Sequence, residues 1–328
     1  MSKKYLIVKI AAIGDVIMAL PMVNEIRKQD KDAEITWVCG RGVKSLLEPF
    51  AIDRIITVDE KKLMTGSRLE KISVVINLWR QIAGRRYDVV ALGHAARRYK
   101  ILTLLTRCGE FRFFSHVMGE RWPVPGRHHT DEYVRLVKPN NKTPIAAVQF
   151  PQVDLPSRLT TLLSGGRPIA ALAPGGAKNL LADDDVRRWP IENYANLAKQ
   201  LIKKGYGVVI TGANADKWVE GYFADIPVIN LIGKTNLLEL IGVFQHVDVI
   251  ITHDSGPMHL AGMTGTKLIT IFGPTNPWEK VPRRENVTTA WGYDKNACCP
   301  CYDGKYYAKC DEKICMEKIT VEYILGEI

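Results

Sequence analysis

The chain has 328 residues, more than one hydrophobic core usually supports, so we expect two domains. Hydrophobic residues make up 46% and charged residues 24% of the sequence, which excludes a disordered chain. The formal net charge is +10, and residues 1–150, with 26 Lys and Arg against 15 Asp and Glu, hold all of the excess. The excess positive charge of residues 1–150 suits binding to an anionic membrane surface or to a phosphorylated substrate. The simpler alternative is that these basic residues face solvent and have no partner. No nucleic-acid motif is present, so no nucleic acid is expected as a partner.

Short apolar runs alternate with helical patterns along the chain, which is typical of parallel α/β structure. In the first half, strands are predicted at 5–10, 34–39, 54–58 and 88–92, and helices at 16–29, 43–49, 69–83 and 100–108. A Pro- and Gly-rich stretch follows at 137–167, with one strand-like piece at 145–150, and indicates the connection between domains. In the second half, strands are predicted at 169–173, 207–211, 228–230, 247–252 and 268–272, and helices at 191–204, 237–244 and 257–264. Two doubly wound domains, 1–156 and 157–328, are the simplest account.

No stretch reaches the roughly 18 apolar residues that a membrane-spanning helix needs. Lys9 and Asp15 interrupt the first apolar run, and no small-residue cleavage site follows it, which argues against a signal peptide. We therefore expect a cytoplasmic protein that touches at most the inner face of the membrane.

The loop after the first predicted strand contains Gly14 and Asp15. Glycine allows close approach of the backbone to a ligand, and an aspartate at the start of a helix is stabilised as a carboxylate by free NH groups. Asp15 is therefore a candidate base. An ordinary helix-capping aspartate is the simpler alternative.

A second polar loop runs from Asp254 through Ser255 and Gly256 to His259. A buried strand leads into it, and Pro257 follows as the first residue of a helix. The start of that helix is a candidate site for a diphosphate, with His259 one turn further on. A capped helix with a packed histidine explains the same residues equally well.

A third loop contains Gly175 and Gly176 and leads to a run of aspartates and Arg187. Backbone contact at the glycines and the charge of Arg187 fit a phosphate. The aspartates at 183–185 could suggest a metal site, but a solvated loop before a helix is preferred. A fourth loop, Gly-Pro-Thr at 273–275, also follows a strand, and a plain turn is at least as good an explanation.

Several nucleotide and hydrolase motifs are missing. The chain has no Walker A sequence, no Gly-x-Gly-x-x-Gly and no Gly-x-Ser-x-Gly. Five cysteines crowd the C-terminus, and Cys299, Cys301, Cys310 and Cys315 are a weak candidate set of zinc ligands with non-standard spacing. Crowded structural thiols are about as good an explanation, and no cofactor is expected.

Taken together, these loops resemble glycosyltransferase family 9, the ADP-heptose:lipopolysaccharide heptosyltransferases. The matching pieces are Ile-Gly-Asp-Val at 13–16 with Pro21 following, a weaker Tyr-Asp-Val-Val at 87–90, Arg-Arg-Trp-Pro at 187–190, Asp-Ser-Gly-Pro-Met-His-Leu-Ala at 254–261 and Phe-Gly-Pro-Thr at 272–275. They span most of the chain in the family's order. A cysteine-rich tail also resembles a subset of the family.

The resemblance implies a GT-B fold, with two Rossmann-like doubly wound domains facing across a cleft. It implies inverting, metal-independent transfer of a sugar, ADP-heptose as the expected donor and an anionic glycolipid of the lipopolysaccharide core as acceptor. By position, Asp15 would be the catalytic base. Donor binding would fall to Gly176, Arg187, Asp216, Asp254, Ser255, Gly256 and His259, with Gly14 close to the ligand.

Two positions depart from the family's pattern. Arg187 stands where the family usually has Lys, which keeps the charge but replaces a point ammonium by a planar fork. Asp216 is the nearest match to a Glu often found near the nucleotide. The alternatives are another nucleotide-sugar enzyme, such as a different transferase or an epimerase, and a metal- or redox-responsive protein centred on the cysteines.

Overall fold

The computed structural model describes residues 2–114, 124, 126–178, 183–293, 298–302, 306–310 and 312–328. The chain divides into two compact units, the first ending at Ala146 and the second made of Ala147–Lys178 and the residues from 182 onward. Within these described ranges, no helix is both long and apolar enough to cross a bilayer.

The first unit is built on a parallel sheet with the order β3-β2-β1-β4-β5. Its strands are β1 Lys4–Val8, β2 Glu34–Gly40, β3 Arg54–Val58, β4 Arg86–Leu92 and β5 Arg107–Phe113. Its helices are α1 Ile13–Ala19, α2 Pro21–Gln29, α3 Lys44–Leu47, α4 Glu60–Thr65, α5 Arg68–Ile82 and α6 His129–Arg135, with 3₁₀ turns at Arg41–Val43 and Arg97–Thr103.

The strand order of the first unit reverses between β1 and β4, which are hydrogen-bonded neighbours. Leu6 of β1 pairs with Thr36 of β2 on one side and with Val90 of β4 on the other. In doubly wound sheets, ligands bind beyond the carboxyl ends of the strands at such a switch point. The loops after β1 and β4 are therefore the place to look for function in this unit.

The second unit repeats the plan with six parallel strands in the order β11-β10-β9-β6-β7-β8. They are β6 Ile169–Ala173, β7 Gly207–Ile210, β8 Ile229–Asn230, β9 Val249–His253, β10 Lys267–Phe272 and β11 Val287–Trp291. The helices are α7 Ser157–Leu163, α8 Ile191–Lys203, α9 Leu237–Gln245, α10 Gly256–Gly262, α11 Ile314–Glu317 and α12 Val321–Gly326, with 3₁₀ turns at Asp185–Arg187, Asn214–Phe223 and Pro277–Glu279.

The switch point of this second sheet lies between β6 and β9, where Ala173 pairs with Thr252. The two loops that follow these strands are those in which the sequence predicted donor-binding residues. The expectation of two doubly wound α/β units is thus confirmed.

Three predicted elements differ from the structure. The helix predicted at 100–108 is instead a 3₁₀ turn followed by β5, an edge strand whose residues are mostly exposed and so lack an apolar alternation. The helix at 16–29 is broken before Pro21, because proline has no NH to continue a helix and instead begins α2. Residues 145–150, predicted as a strand-like piece, form no strand in the structure. The backbone NH groups of Ala147 and Phe150 donate to the carbonyl oxygens of Arg283 and Met263, which do not belong to a neighbouring strand.

The C-terminal segment is part of the second unit's core. Met316 and Ile324 are fully buried in that core, and the indole Nε1 of Trp189 donates to the carbonyl of Ile319 at 2.8 Å. Cys299 and Cys315 are buried in the same cluster, and burial raises the pKa of the Cys315 thiol to about 12. In the described part of the chain, no three Cys, His, Asp or Glu side chains come close enough to hold a metal ion.

Gly292 tests how tightly this segment packs. A β-carbon at this position would collide with the backbone carbonyl of Cys315, which cannot rotate away as a side chain can. We expect Gly292→Ala to lower the free energy of unfolding by about 2–3 kcal/mol, measured by urea denaturation. Gly221→Ala is the control, because nothing lies within contact of its added methyl group. Equal midpoints for the two variants would contradict the tight packing.

Candidate active site

Asp15 lies in the first turn of α1, just beyond the carboxyl end of β1. Its Oδ2 is 3.1 Å from the Nζ of Lys9, and the aspartate side chain is 37% exposed while the lysine side chain is almost fully buried. Lysine is rarely buried without a partner. Lys9 therefore orients a carboxylate that solvent and a substrate can reach. Gly14 lies beside it as a buried residue of α1.

His94 ties the loop after β4 to the loop after β1. Its Nε2 accepts a hydrogen bond from the backbone NH of Ile10 at 3.1 Å, and its ring stacks on Tyr99 at 4.1 Å. Burial, followed by the charge of Lys9, holds the pKa of His94 well below its ordinary value. The imidazole is therefore neutral and fixes the shape of this edge. Sequence reasoning missed both Lys9 and His94, although a lysine inside an apolar strand is a usable signal.

In the second unit, Asp216 ties together the loops after β6 and β7. Its two carboxylate oxygens accept hydrogen bonds from the NH of Gly176 at 2.8 Å and the NH of Ala213 at 2.7 Å. Gly176 has φ +83°, a conformation that favours glycine. A β-carbon on Gly175 would strike the Asp216 carboxyl group. Asp216 therefore holds the glycine loop in place.

Arg187 and Asp254 form a buried ion pair at the switch point. The Arg187 Nη1 donates to the carbonyl oxygen of Asp254 at 3.0 Å and lies 3.6 Å from its Oδ2, while Nη2 bonds Asp184 at 3.0 Å. Lys280 Nζ is 3.8 Å from the same Oδ2. Burial alone would raise the pKa of Asp254, but Lys280, Arg187 and His259 together hold it well below its usual range.

One donor of this cluster has no partner in the described part of the chain. The Nε of Arg187 is buried and makes no hydrogen bond. Buried polar groups are almost always bonded, so this NH is a candidate donor to a ligand. An anionic oxygen is the acceptor that a guanidinium binds most strongly.

Ser255, Gly256 and His259 complete the loop after β9. Ser255 is buried, its hydroxyl donates to the carbonyl of His253 at 3.2 Å, and a β-carbon on Gly176 would lie 3.2 Å from the Ser255 Cβ. Gly256 begins α10 and His259 is buried one turn further on. The neighbouring His253 lies 3.1 Å from the hydroxyl of Tyr194, and burial lowers its pKa to about 3.

Two tyrosines of the tail were not predicted and lie against the same cluster. The Tyr307 hydroxyl is 3.4 Å from the Thr275 hydroxyl, and its ring centre is 5.7 Å from the Arg187 guanidinium. Tyr302 stacks on Tyr307 at 4.6 Å and faces the Lys280 ammonium at 4.6 Å. The spacing of these residues in the sequence does not predict that the two tyrosine rings pack against Arg187 and Lys280.

The structure thus collects most predicted donor residues at one edge of the second sheet. These residues lie in the segments that follow β6 and β9, including the first turn of α10: Gly176, Arg187, Asp254, Ser255, Gly256 and His259. Asp216 supports the segment after β6. Asp15 and Gly14 belong to the first unit. Two doubly wound units, with polar loops at both switch points, are typical of glycosyltransferases of the GT-B fold.

The chain belongs to glycosyltransferase family 9 (heptosyltransferase), whose family model matches residues 109–310. The lipopolysaccharide core heptosyltransferase OpsX of Haemophilus influenzae is 25% identical over 99% of this chain and 96% of its own length. The family 9 transferase of Veillonella parvula has the same fold, with a TM-score of 0.75, 21% identity and coverage of 99% of this chain and 95% of its own. The Escherichia coli heptosyltransferase WaaC, solved with ADP, gives 0.73 at 15% identity over 98% of both chains.

These similarities confirm the resemblance inferred from the motifs. The protein is a glycosyltransferase with the fold of the heptosyltransferases. The site residues named above were inferred from the family's motifs and from the geometry of each unit.

Proposed function

We propose that the protein transfers a heptose from ADP-heptose to an anionic glycolipid of the lipopolysaccharide core. The observation that carries the proposal is the buried Arg187 Nε, which has no hydrogen-bond partner among the described residues and belongs to the guanidinium paired with Asp254. Family membership supports the reaction class, a relative named as a lipopolysaccharide core heptosyltransferase supports the sugar and acceptor, and the solved relative with ADP supports the nucleotide.

The second unit stabilises the leaving group in this proposal. When the bond between the sugar and its phosphate breaks, the electron pair moves to the phosphate oxygen, so negative charge grows on the diphosphate. Arg187, Lys280 and His259 supply positive charge or donors there, and the backbone near Gly176 and Gly256 allows close approach. Groups that are fixed before the reaction stabilise such charge without reorganising.

The first unit activates the acceptor. The Asp15 carboxylate takes the proton from an acceptor hydroxyl as its oxygen attacks the anomeric carbon, and Lys9 holds that carboxylate in place. General-base help of this kind contributes about 10²–10⁴-fold to a rate. Attack on the face opposite the departing diphosphate inverts the anomeric centre.

The acceptor proposal also rests on charge. Residues 1–150 carry 26 basic against 15 acidic residues, and the remaining chain has no excess. This positive charge attracts a phosphorylated glycolipid, which the protein would reach from the cytoplasm at the inner face of the membrane. The protein would then act as a peripheral enzyme, without a nucleic-acid partner.

A panel of nucleotides tests the donor. We expect ADP and ADP-heptose to raise the melting temperature, because a ligand at about 100 times its Kd stabilises the fold by about 2.7 kcal/mol. GDP-, UDP- and CMP-sugars are the comparison set, scanned in the same buffer. A shift with one of these and none with ADP would replace the donor, and no shift with any nucleotide would remove the nucleotide-sugar function.

A chelator tests the metal-free mechanism. Arg187, Lys280 and His259 provide the charge that a divalent ion supplies in other transferases. We expect the initial rate of transfer from ADP-heptose to be the same in EDTA and in Mg²⁺. A rate that falls in EDTA and returns with the divalent ion would show that these side chains do not suffice.

A further inference from the structure

The first unit carries an apolar surface that neither half of the proposed site uses. On α5, Leu69 is 79% exposed, Ile72 is 54% exposed, and Ile76 is also exposed. Their spacing of three and four residues places them on one side of the helix, while its other side packs into the core. A helix that is apolar on both sides is expected to have a partner.

The stripe borders a pocket of about 380 Å³. Ile72, Ile76, Trp79, Tyr99 and Ile101 line it, together with residues of α4. Leu104, 67% exposed, continues the apolar patch along the chain beyond Ile101. We call the set Leu69, Ile72, Ile76, Ile101 and Leu104 the α5 surface.

The α5 surface lies in the most basic part of the chain. Residues 61–107 contain 11 Lys and Arg but only 2 Asp and Glu, so this segment accounts for nearly all of the net charge. Lys71 and Arg98 line the pocket itself. Apolar side chains interleaved with cations fit an anionic bilayer, where the rings and alkyl groups enter the headgroup layer and the cations meet lipid phosphates. A second copy of this surface would be repelled, because it carries the same charge.

The surface is also continuous with the candidate acceptor edge. Tyr99 lines the pocket and stacks on His94, which is hydrogen-bonded to Ile10 at the end of β1. The same loop leads to Asp15. The pocket is therefore linked through Tyr99 and His94 to the end of β1, from which the loop to Asp15 begins.

We propose that the α5 surface docks the protein on an anionic lipid bilayer. The Ile72 and Ile76 side chains enter the headgroup layer, and Arg68 and Lys71 on the same helix contact the lipid phosphates. The suggestion that docking presents a glycolipid to Asp15 rests on the proposed function, whereas the docking itself does not.

Sedimentation with vesicles tests the docking. The full chain is mixed with vesicles of phosphatidylcholine alone or with phosphatidylglycerol added, at low and high salt. We expect binding to the anionic vesicles only, weakened by salt. Each basic side chain near anionic lipid contributes about fivefold, so Arg68→Gln with Lys71→Gln should weaken binding about 30-fold. Ile72→Gln with Ile76→Gln should weaken it about tenfold.

Matched controls are available in the second unit. Lys199→Gln with Lys203→Gln removes two exposed lysines of α8, and Leu162→Gln removes an exposed leucine of α7. These variants should bind vesicles as the parent does. Equal binding to neutral vesicles, equal weakening in the controls, or unchanged binding in both α5 variants would overturn the proposal. A change of oligomeric state in the α5 variants would assign the surface to a second copy instead.

Two further measurements separate this proposal from the proposed function. Thermal stabilisation by ADP and transfer from ADP-heptose to a water-soluble core oligosaccharide need no membrane, so the α5 variants should keep both. If vesicle binding fails while soluble transfer persists, the docking is wrong and the function stands. If vesicles are bound but no nucleotide is, the docking stands and the function is wrong.

Discussion

Replacing Asp15 by Asn is expected to lower kcat for heptosyl transfer by about 10²–10⁴-fold, the usual contribution of a general base. Asparagine keeps the size of the side chain and can stay beside Lys9, so the local structure should persist. The affinity for ADP should not change, because the predicted donor residues belong to the second unit. Initial rates and a calorimetric titration with ADP measure the two effects.

Asp59→Asn is the matched control for that substitution. Asp59 also lies at the start of a helix, where it accepts a hydrogen bond from the NH of Lys62 at 2.9 Å. Asparagine caps helices as well as aspartate does, so activity and stability should both be retained. A full rate in the Asp15 variant would remove Asp15 as the base, and a loss of ADP affinity there would point to a structural role.

Replacing Arg187 by Ala should damage both the donor site and the fold of the second unit. The side chain is only 14% exposed, and its loss removes one of the cations that pair with the buried Asp254 carboxylate, leaving Lys280 at 3.8 Å. Breaking a buried ion pair by removing one partner costs about 3–5 kcal/mol. We expect a loss of about 3 kcal/mol in urea unfolding, since Lys280 stays, and at least a tenfold weaker binding of ADP.

Two companion variants separate charge from geometry at this position. Arg187→Lys keeps the positive charge but loses the planar guanidinium. Compared with Arg187→Ala, it should therefore recover part of the stability and part of the affinity for ADP. Arg158→Ala removes an exposed partner of Glu239 and should cost less than about 1 kcal/mol. If Arg187→Ala binds ADP as the parent does, the unpaired Nε does not serve the nucleotide.

The sheets could be predicted from the sequence where their strands are buried on both faces. The strand at 169–173, buried at every residue, was predicted with the bounds that the structure has, because a continuous apolar run is distinctive. The edge strand at 54–58 was also predicted with its observed bounds, although only Ile56 and Val58 are buried. β5 and β11, two further edge strands, were missed because neither contains a continuous buried apolar run. The short helices of the tail are too brief to show a period.

The residues of the candidate site could likewise be predicted only in part from the sequence. Loops after buried strands could be found, and motif resemblance identified Asp15, Arg187 and Asp254 within them. His94 and Lys280 could not be found, because their contribution comes from partners on other loops, whereas Lys9 was missed although a lysine in an apolar strand is a signal. Asp216 was predicted to bind the donor; the structure adds that its two oxygens accept hydrogen bonds from backbone NH groups of two loops, a pairing that no sequence pattern shows.

The packing of α12 against α8 has a consequence for biosynthesis. Ile324 is fully buried in the second unit's core, so this core lacks an inner side chain until residue 324 has been translated. The first sheet, by contrast, ends with β5 at Phe113 and can form while the rest of the chain is still on the ribosome. Nascent chains should therefore acquire a folded first sheet early, whereas the core of the second unit should be completed only after residue 324 has left the exit tunnel.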